Sequence, residues 1–219
     1  MIALLFIGVF VIYLIISIKV IGIGRTQAQR RGYKRWHGGL LAALIMYNLV
    51  FWDLIPVYAV HAYQCKNNAG FTVYKTLEQW KQENPGVADT LIPIKNSPST
   101  KTDKTTRYQL NQRFAWDTTY TKIWNVVRKT DERIIDTETG EVLAQYIDFS
   151  ASVGRLYNAN KVSDYKFWFE ARSCERSYGT IVYREDKNAY EWIGKGSPPT
   201  GYQFNKLKSH FKYSIKEYK

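Results

Sequence analysis

Two long apolar runs, separated by a short basic segment, open the chain. The first run, Met1 to Ile23, holds only Lys19 as a charged residue, and the second, Leu40 to Tyr63, holds only Asp53. A helix of about 20 apolar residues reaches across the ~30 Å hydrocarbon core of a bilayer. The pattern therefore predicts two transmembrane α-helices, which form a membrane anchor over residues 1–64.

The basic segment between the runs, residues 24–39, determines the predicted orientation. Short loops rich in Lys and Arg stay in the cytoplasm. No basic residue precedes the first run, whereas the segment carries five: Arg25, Arg30, Arg31, Lys34 and Arg35. We therefore expect a cytoplasmic loop and both termini on the outer side of the membrane. A cleavable signal peptide is the alternative for the first run, although such a peptide begins with basic residues and ends at a small-residue cleavage site.

Polar residues interrupt the second run. Asn48 and Asp53 lie within it, and Asp53 is the only acid of the anchor. An ionisable group at membrane depth usually marks a functional site. Asp53 also lies beside Trp52, however, where the aromatic belt of the outer interface is expected. Both interpretations stay open, and in a membrane complex Asn48 and Asp53 would contact partner helices.

From residue 65 onward the apolar residues come in short runs. A strand is predicted at residues 71–73, and Thr76 is a typical N-cap for a short helix. Residues 108–152 are mainly strand-like and include a hairpin in which Gly140 takes the positive φ of a short loop. The polar stretch 95–107 has little to bury, so we expect a mobile loop there.

The last third of the chain gives weaker patterns. Residues 179–183 and 190–193 predict two more strands around a polar turn. Residues 155–172 fit a helix or a strand, and the tail from residue 202 fits a basic edge strand or a final helix. The expected fold class is two transmembrane α-helices plus a C-terminal α+β, mainly antiparallel-sheet domain over residues 65–219.

The predicted extramembrane domain is basic. Of 31 Lys and Arg and 19 Asp and Glu in the chain, six basic residues and one acid precede Cys65, which leaves 25 against 18 and a net charge of +7. Because no dense Lys/Arg block occurs, we interpret this charge as a solvated surface and expect no nucleic-acid partner.

The chain has two cysteines, Cys65 and Cys174. Both fall on the predicted outer side of the membrane, where disulfides form and persist. A disulfide between them is therefore expected, with two buried free thiols or acylation of Cys65 as the alternatives.

Motifs with assigned chemistry are scarce. His210 is the only histidine of the predicted domain, and HxxxH, CxxC, GxSxG and phosphate-loop spacings do not occur. We accordingly predict no catalytic residue, no metal and no cofactor. Asp148 and Glu170 are the acids that an enzyme would use if they lay close together.

Aromatic residues are abundant, with seven Trp and 17 Tyr. Our first interpretation is structural, with Trp80, Trp116, Trp124, Trp168 and Trp192 filling a core beneath the sheet. Exposed aromatic side chains beside basic residues can also recognise a partner. The candidates for partner binding are Tyr178, Tyr183, Tyr190 and Trp192.

Two stretches, CKNNAGFTVYKTLEQW from Cys65 and RIIDTETGEVLAQYI from Arg133, resemble uncharacterised membrane or periplasmic proteins that accessory genes of Gram-negative bacteria encode. The resemblance covers about 31 of the 219 residues. It implies a location in the cell envelope and brings no catalytic residue with it.

The functional hypothesis that follows is a membrane-anchored periplasmic protein that binds another envelope component. One form of it is an immunity or exclusion protein that captures an incoming toxin or phage product. The alternatives are an envelope hydrolase or transferase acting on lipid or peptidoglycan, and an accessory subunit of an inner-membrane complex.

Overall fold

The computed structural model describes residues 2–152, 166, 168–175, 179–184, 189–194 and 198–213. The chain begins with three helices: α1 (Ile2–Arg30), α2 (Arg35–Phe51) and α3 (Leu54–Asn68). Within the described part of the chain, α1 is long and apolar enough to cross a membrane over Ile7–Arg30, with a mean hydropathy of 2.4. Helices α2 and α3 meet that criterion only as a pair, and they are bent by 62°. The structure thus has one candidate span, or two if the bent pair is one span.

A tight turn joins α1 and α2. Gly32 takes a φ of +77° there, which a residue without a Cβ adopts readily. The predicted loop over 24–39 is therefore mostly helical, and the five basic side chains lie exposed along the two helix ends and the turn.

Small residues let α1 and α2 approach closely beside that turn. A Cβ on Gly24 would lie 2.6 Å from the carbonyl oxygen of Gly38, and a Cβ on Gly38 would lie 2.6 Å from the Cβ of Ala28. Ala42 lies four residues after Gly38, so each helix presents a small residue, three others and a second small residue. This spacing is typical of helix packing in membranes.

The second apolar run divides between Phe51 and Leu54. Pro56 lies in the first turn of α3, where a missing N–H is tolerated, but its ring prevents the helix from running straight on from α2. The amide of Val57 donates to the carbonyl of Asp53 over 2.9 Å and so closes the first turn of α3. The run is consequently two helices and not one straight span.

The described residues form the strands β1 (Gly70–Val73), β2 (Ser99–Thr102), β3 (Thr105–Gln109), β4 (Phe114–Trp124), β5 (Val127–Asp136), β6 (Val142–Ser152), β7 (Glu170–Ala171), β8 (Gly179–Arg184) and β9 (Ala189–Gly194). The first six make an antiparallel sheet in the order β1-β6-β5-β4-β3-β2, and β7 also pairs with β6. Strands β8 and β9 form a separate antiparallel hairpin. The predicted α+β class with an antiparallel sheet is confirmed.

Several local predictions are also confirmed. The loop between β5 and β6 places Gly140 at a φ of +74°. Helix α4 (Leu77–Glu83) begins at Thr76, whose hydroxyl accepts the amide of Gln79 over 3.2 Å in a capping box. A 3₁₀ turn follows at Ala88–Thr90, and the tail resolves as a helix, α5 (Thr200–Tyr213).

The mobile loop predicted over residues 95–107 is wrong. Its second half forms the β2–β3 hairpin, which continues the sheet beyond β4. Four threonines favour extended backbone here because their Cβ atoms are branched, and Asp103 supplies the turn with a φ of +53°. The hydroxyls of Thr105 and Thr119 lie 2.8 Å apart across β3 and β4.

The core lies between one sheet face and helices α4 and α5. Trp80 is buried there, but Trp124 is 39% exposed, and Trp116, Trp168 and Trp192 are half-buried. The expected five-tryptophan core is thus wrong, because phenylalanines fill most of the space. Phe114, Phe204 and Phe211 are fully buried and pack with Ile134, Leu143 and Ala144.

The chain separates into two compact units. The first comprises Met1–Ala59 and Ser152–Glu170, and the second comprises Val60–Ala151 and Ala171–Lys219. The division falls within α3, as does the boundary predicted between residues 64 and 65. The assignment of Ser152–Glu170 to the first unit is a long-range feature that the sequence pattern did not indicate.

Candidate functional site: the disulfide and its cavity

Cys65 and Cys174 form a disulfide, which confirms the predicted pairing. Cys65 lies on α3, and Cys174 follows β7, 109 residues later. The sulfur of Cys174 lies 3.7 Å from the carbonyl oxygen of Phe149 on β6. The bond therefore fixes α3 and the segment after β7 against the same strand.

His61 stands one helical turn before Cys65. Its Nε2 lies 3.2 Å from the carbonyl oxygen of Phe149 and 3.5 Å from the sulfur of Cys65. A carbonyl oxygen only accepts, so Nε2 carries the proton and donates to it. The buried ring thus donates its one N–H to the backbone of β6.

The same three side chains have the spacing of a metal site. The ligand atoms of His61, Cys65 and Cys174 lie within 4.8 Å of one another. Thiolates are the form of cysteine that ligates metals. Because the two sulfurs are bonded to each other, the described geometry is that of a disulfide and not of a metal centre.

A cavity of about 360 Å³ lies beside the disulfide. This volume is within the range of ligand pockets. Both signs of charge occur in its lining, which consists of Ala62, Cys65, Lys66, Ala69, Gly70, Tyr146, Ile147, Asp148, Cys174, Glu175 and Thr200. The cavity can therefore contact cationic and anionic groups of a bound molecule.

The two carboxylates that line the cavity, those of Asp148 and Glu175, also accept hydrogen bonds from other segments of its lining. Asp148 accepts the backbone N–H of Cys174 over 2.9 Å, and Glu175 accepts the backbone N–H of Thr200 over 2.6 Å. Thr200 is the first residue of α5, where an anion satisfies an amide that has no partner in the helix. Asp148 thus links β6 to Cys174 of the disulfide, and Glu175, the next residue, links the same segment to the start of α5.

Tyr146 lines the cavity and packs against α5. Its ring stacks on Phe204 with centroids 5.7 Å apart, and a Cβ on Gly201 would approach the tyrosine oxygen to 3.0 Å. Burial raises the pKa of Tyr146, and the charge of Asp148 raises it further. The phenol is therefore neutral and can donate a hydrogen bond.

A second cluster, formed by Trp116, Glu132 and Lys208, lies where α5 packs on β4 and β5, on the same face of the sheet as Tyr146. The indole of Trp116 donates to Glu132 over 2.8 Å, and Lys208 Nζ lies 3.6 Å from the centroid of the Trp116 ring. Burial raises the pKa of Glu132 and lowers that of Lys208, while their opposite charges act against both shifts. Oppositely charged pairs whose pKa values are shifted in this way occur at functional sites and in structural ion-pair networks.

Sequence reasoning missed this cluster because its members are far apart in the chain. The alternation along β5 places Glu132 on the same face as the buried Ile134, and this was the only local signal. Of the two acids named for an enzyme, Asp148 lines the cavity and Glu170 is exposed on β7.

The two polar residues predicted in the membrane region have different surroundings. The amide of Asn48 donates to the carbonyl of Leu44 on its own helix over 2.8 Å. Asp53 is fully buried and forms an ion pair with Lys166, whose Nζ lies 5.6 Å from the centroid of the Trp52 ring. The partner of Asp53 thus comes from the segment 152–170 that joins the first unit.

The predicted partner-binding aromatics fall on and near the β8–β9 hairpin. Tyr183 and Tyr190 occupy opposite positions in its ladder. Trp192 is half-buried, with its ring centroid 6.3 Å from that of Tyr202. Tyr178 lies outside the described residues, as do the side chains of Tyr183 and Tyr190.

No family model matches the chain, and neither the curated proteins nor the solved structures include a significantly similar one. The functional argument therefore rests on the chain's own residues.

Proposed function

We propose that this chain is a binding protein of the bacterial inner membrane, a multi-pass protein with two spans whose α+β domain lies in the periplasm. The observation that carries the proposal is the Cys65–Cys174 disulfide, because disulfides persist in oxidising compartments and are rare in the cytosol. The five exposed basic side chains around the α1–α2 turn support the same orientation.

The cavity beside the disulfide supports binding as the activity of the domain. It is formed by α3, β6 and the start of α5, and it offers Lys66 together with two carboxylates. A protein partner from the envelope is the proposed ligand, and capture of an incoming toxin or phage product is the form that an immunity or exclusion protein would use.

Single-cysteine labelling in intact cells tests the orientation. With the native pair oxidised, we expect a membrane-impermeant maleimide to label Ser209→Cys on the exposed face of α5 and to leave Arg30→Cys unlabelled until the membrane is opened. Both positions are exposed on the surface of the protein, so a cysteine that escapes labelling must be shielded by the membrane and not by the fold. The reverse labelling pattern would place the domain in the cytoplasm and end the proposal.

Photo-crosslinking in growing cells tests the binding activity. A benzophenone amino acid at Lys66, on the cavity wall, is expected to give one discrete protein adduct. The same substitution at Lys101 on β2, also exposed and away from the cavity lining, serves as the control. Equal adducts at both positions, or none at Lys66, would contradict a partner at the cavity.

An envelope hydrolase or transferase is the second candidate function. The observation that favours it is Glu132, a half-buried carboxyl whose raised pKa suits a general acid. Glu132 lies opposite Tyr146 in the ladder, and Asp148 lies opposite Thr130, so both acids face the same side of the sheet. Crosslinks from Lys66 to glycan or lipid in place of protein would favour this candidate.

A further inference from the structure

The end of α3 carries a pair of side chains that can bind a metal together. His61 and Cys65 are four residues apart, so both lie on one side of the helix. The sulfur of Cys65 lies 3.9 Å from Nδ1 of His61. In a tetrahedral zinc site, with Zn–S of about 2.3 Å and Zn–N of about 2.0–2.1 Å, a sulfur and a nitrogen ligand lie about 3.6 Å apart. The pair therefore has nearly the spacing that a zinc ion requires.

Cys174 supplies a third ligand atom from another segment of the chain. Its sulfur and the ligand atoms of His61 and Cys65 all lie within 4.8 Å of one another. All three residues belong to the second compact unit, which begins at Val60. A domain boundary at residue 64 assigns His61 to the anchor and separates it from the cysteines, so the sequence alone predicts no metal.

The second ring nitrogen of His61 has the kind of partner that it has in metal centres. Nε2 donates its proton to the carbonyl oxygen of Phe149 over 3.2 Å, which leaves a lone pair on Nδ1. A histidine that ligates a metal almost always donates its other ring N–H to a carbonyl, a carboxylate or water, and this contact fixes the tautomer and the ring orientation. The contact with β6 is thus a second observation that favours Nδ1 as a ligand.

The surroundings of the two cysteines suit a divalent cation. Both cysteines line the cavity, so the ion and the water that completes its coordination have space beside them. Two thiolates and a neutral imidazole carry two negative charges, which one divalent cation neutralises. Because both cysteines are half-buried, a neutral site avoids the cost of leaving unpaired charge there.

We propose that the reduced chain binds Zn²⁺ through Nδ1 of His61 and the thiolates of Cys65 and Cys174. The zinc site and the disulfide are alternative states of the same side chains. A newly made chain carries both cysteines as thiols until the bond forms, and each thiol releases its proton to water when zinc binds. The ion then ties α3 to the segment after β7 in place of the bond.

The inference goes beyond the proposed function and leaves it unchanged. The oxidised protein keeps its disulfide, and in either state the same segments line the cavity proposed for a protein partner. Zinc binding by the reduced chain also does not depend on the side of the membrane on which the domain lies.

Cobalt(II), a spectroscopic substitute for zinc, tests the inference with the full chain in detergent. A phosphine reduces the disulfide to two thiols and becomes the phosphine oxide, and water supplies the oxygen and the two protons. We expect one equivalent of cobalt to give a thiolate-to-metal charge-transfer band and the intense visible bands of tetrahedral cobalt, and zinc to remove them. The oxidised protein has no thiolate and is expected to give neither.

His61→Gln and His210→Gln are matched variants. Glutamine at position 61 keeps an N–H for the Phe149 carbonyl but offers no nitrogen ligand, whereas His210 is exposed on α5 and outside the cluster. We expect zinc to bind the reduced His61→Gln at least about 10-fold more weakly than the reduced wild type. Even residues that only hydrogen-bond to metal ligands contribute about 10–100-fold to affinity. The reduced His210→Gln should bind zinc as the wild type does.

Urea unfolding of the reduced proteins gives a second measurement. A metal that binds only the folded chain stabilises it, so zinc is expected to raise the urea midpoint more for the wild type and His210→Gln than for His61→Gln. The midpoint of the oxidised wild type should not change. Equal zinc affinities in the two glutamine variants would show that His61 is not a ligand. A reduced wild type that gives no tetrahedral cobalt bands, whether it is folded or stays unfolded with the metal, would overturn the site itself.

Discussion

Replacing Cys174 by serine is expected to lower the free energy of unfolding of the extramembrane domain by about 3–5 kcal/mol. The bond closes a segment of 109 residues, and in the chain-entropy model a loop of about 100 residues contributes about 4.7 kcal/mol. The measurement is urea unfolding of the full chain in detergent, with tryptophan fluorescence as the signal.

The matched controls are the double replacement of Cys65 and Cys174 and the reduced wild-type protein. All three should unfold at the same lower urea concentration, because each lacks the same single bond. A larger loss of unfolding free energy in the double variant than in Cys174→Ser would show that the two cysteine side chains contribute separately from the bond. An unchanged midpoint after reduction would show that the bond does not constrain the unfolded chain.

The features that the sequence predicted are those with a local physical signal. The cap at Thr76 depends on residues three positions apart, and the hairpin at Gly140 depends on a residue that tolerates positive φ. Strands β4 to β6 follow from alternation and branched side chains. The Cys65–Cys174 pair followed from the predicted compartment and from there being two cysteines.

The features that were missed depend on residues far apart in the chain. A polar segment such as β2–β3 has almost no apolar pattern of its own, and its stability comes from pairing with β4. The ion pair of Asp53 joins residues 113 positions apart. The cavity likewise needs α3, β6 and α5 together, and no single stretch carries its pattern.

The largest effect of a single side chain in the domain is expected at Asp136, which is 1% exposed. Its carboxylate accepts the indole N–H of Trp80 over 2.8 Å, the guanidinium of Arg113 over 2.6 Å and the backbone N–H of Glu138 over 3.0 Å. Removing one partner of a buried ion pair costs about 3–5 kcal/mol. Asp136→Ala should therefore lower the free energy of unfolding by about that amount, measured by the same urea titration.

Glu138→Ala is the matched control, because Glu138 also pairs with Arg113 but its side chain is 71% exposed. An exposed pair contributes about 0–1 kcal/mol, so this variant should unfold almost as the wild type does. Equal losses in the two variants would show that the charge on Arg113 matters and the buried network does not.

The network also predicts how stability depends on pH. Burial alone would raise the pKa of Asp136, but the hydrogen bonds from Arg113, Trp80 and the Glu138 amide together lower it below its ordinary value. A carboxyl with a depressed folded pKa contributes its full stability above its unfolded pKa of about 3.9 and loses it as the pH falls through the folded value. Urea midpoints measured from pH 7 down to pH 2 should therefore fall more steeply for the wild type than for Asp136→Ala. Parallel curves would show that the pKa of Asp136 is the same in the folded and the unfolded chain.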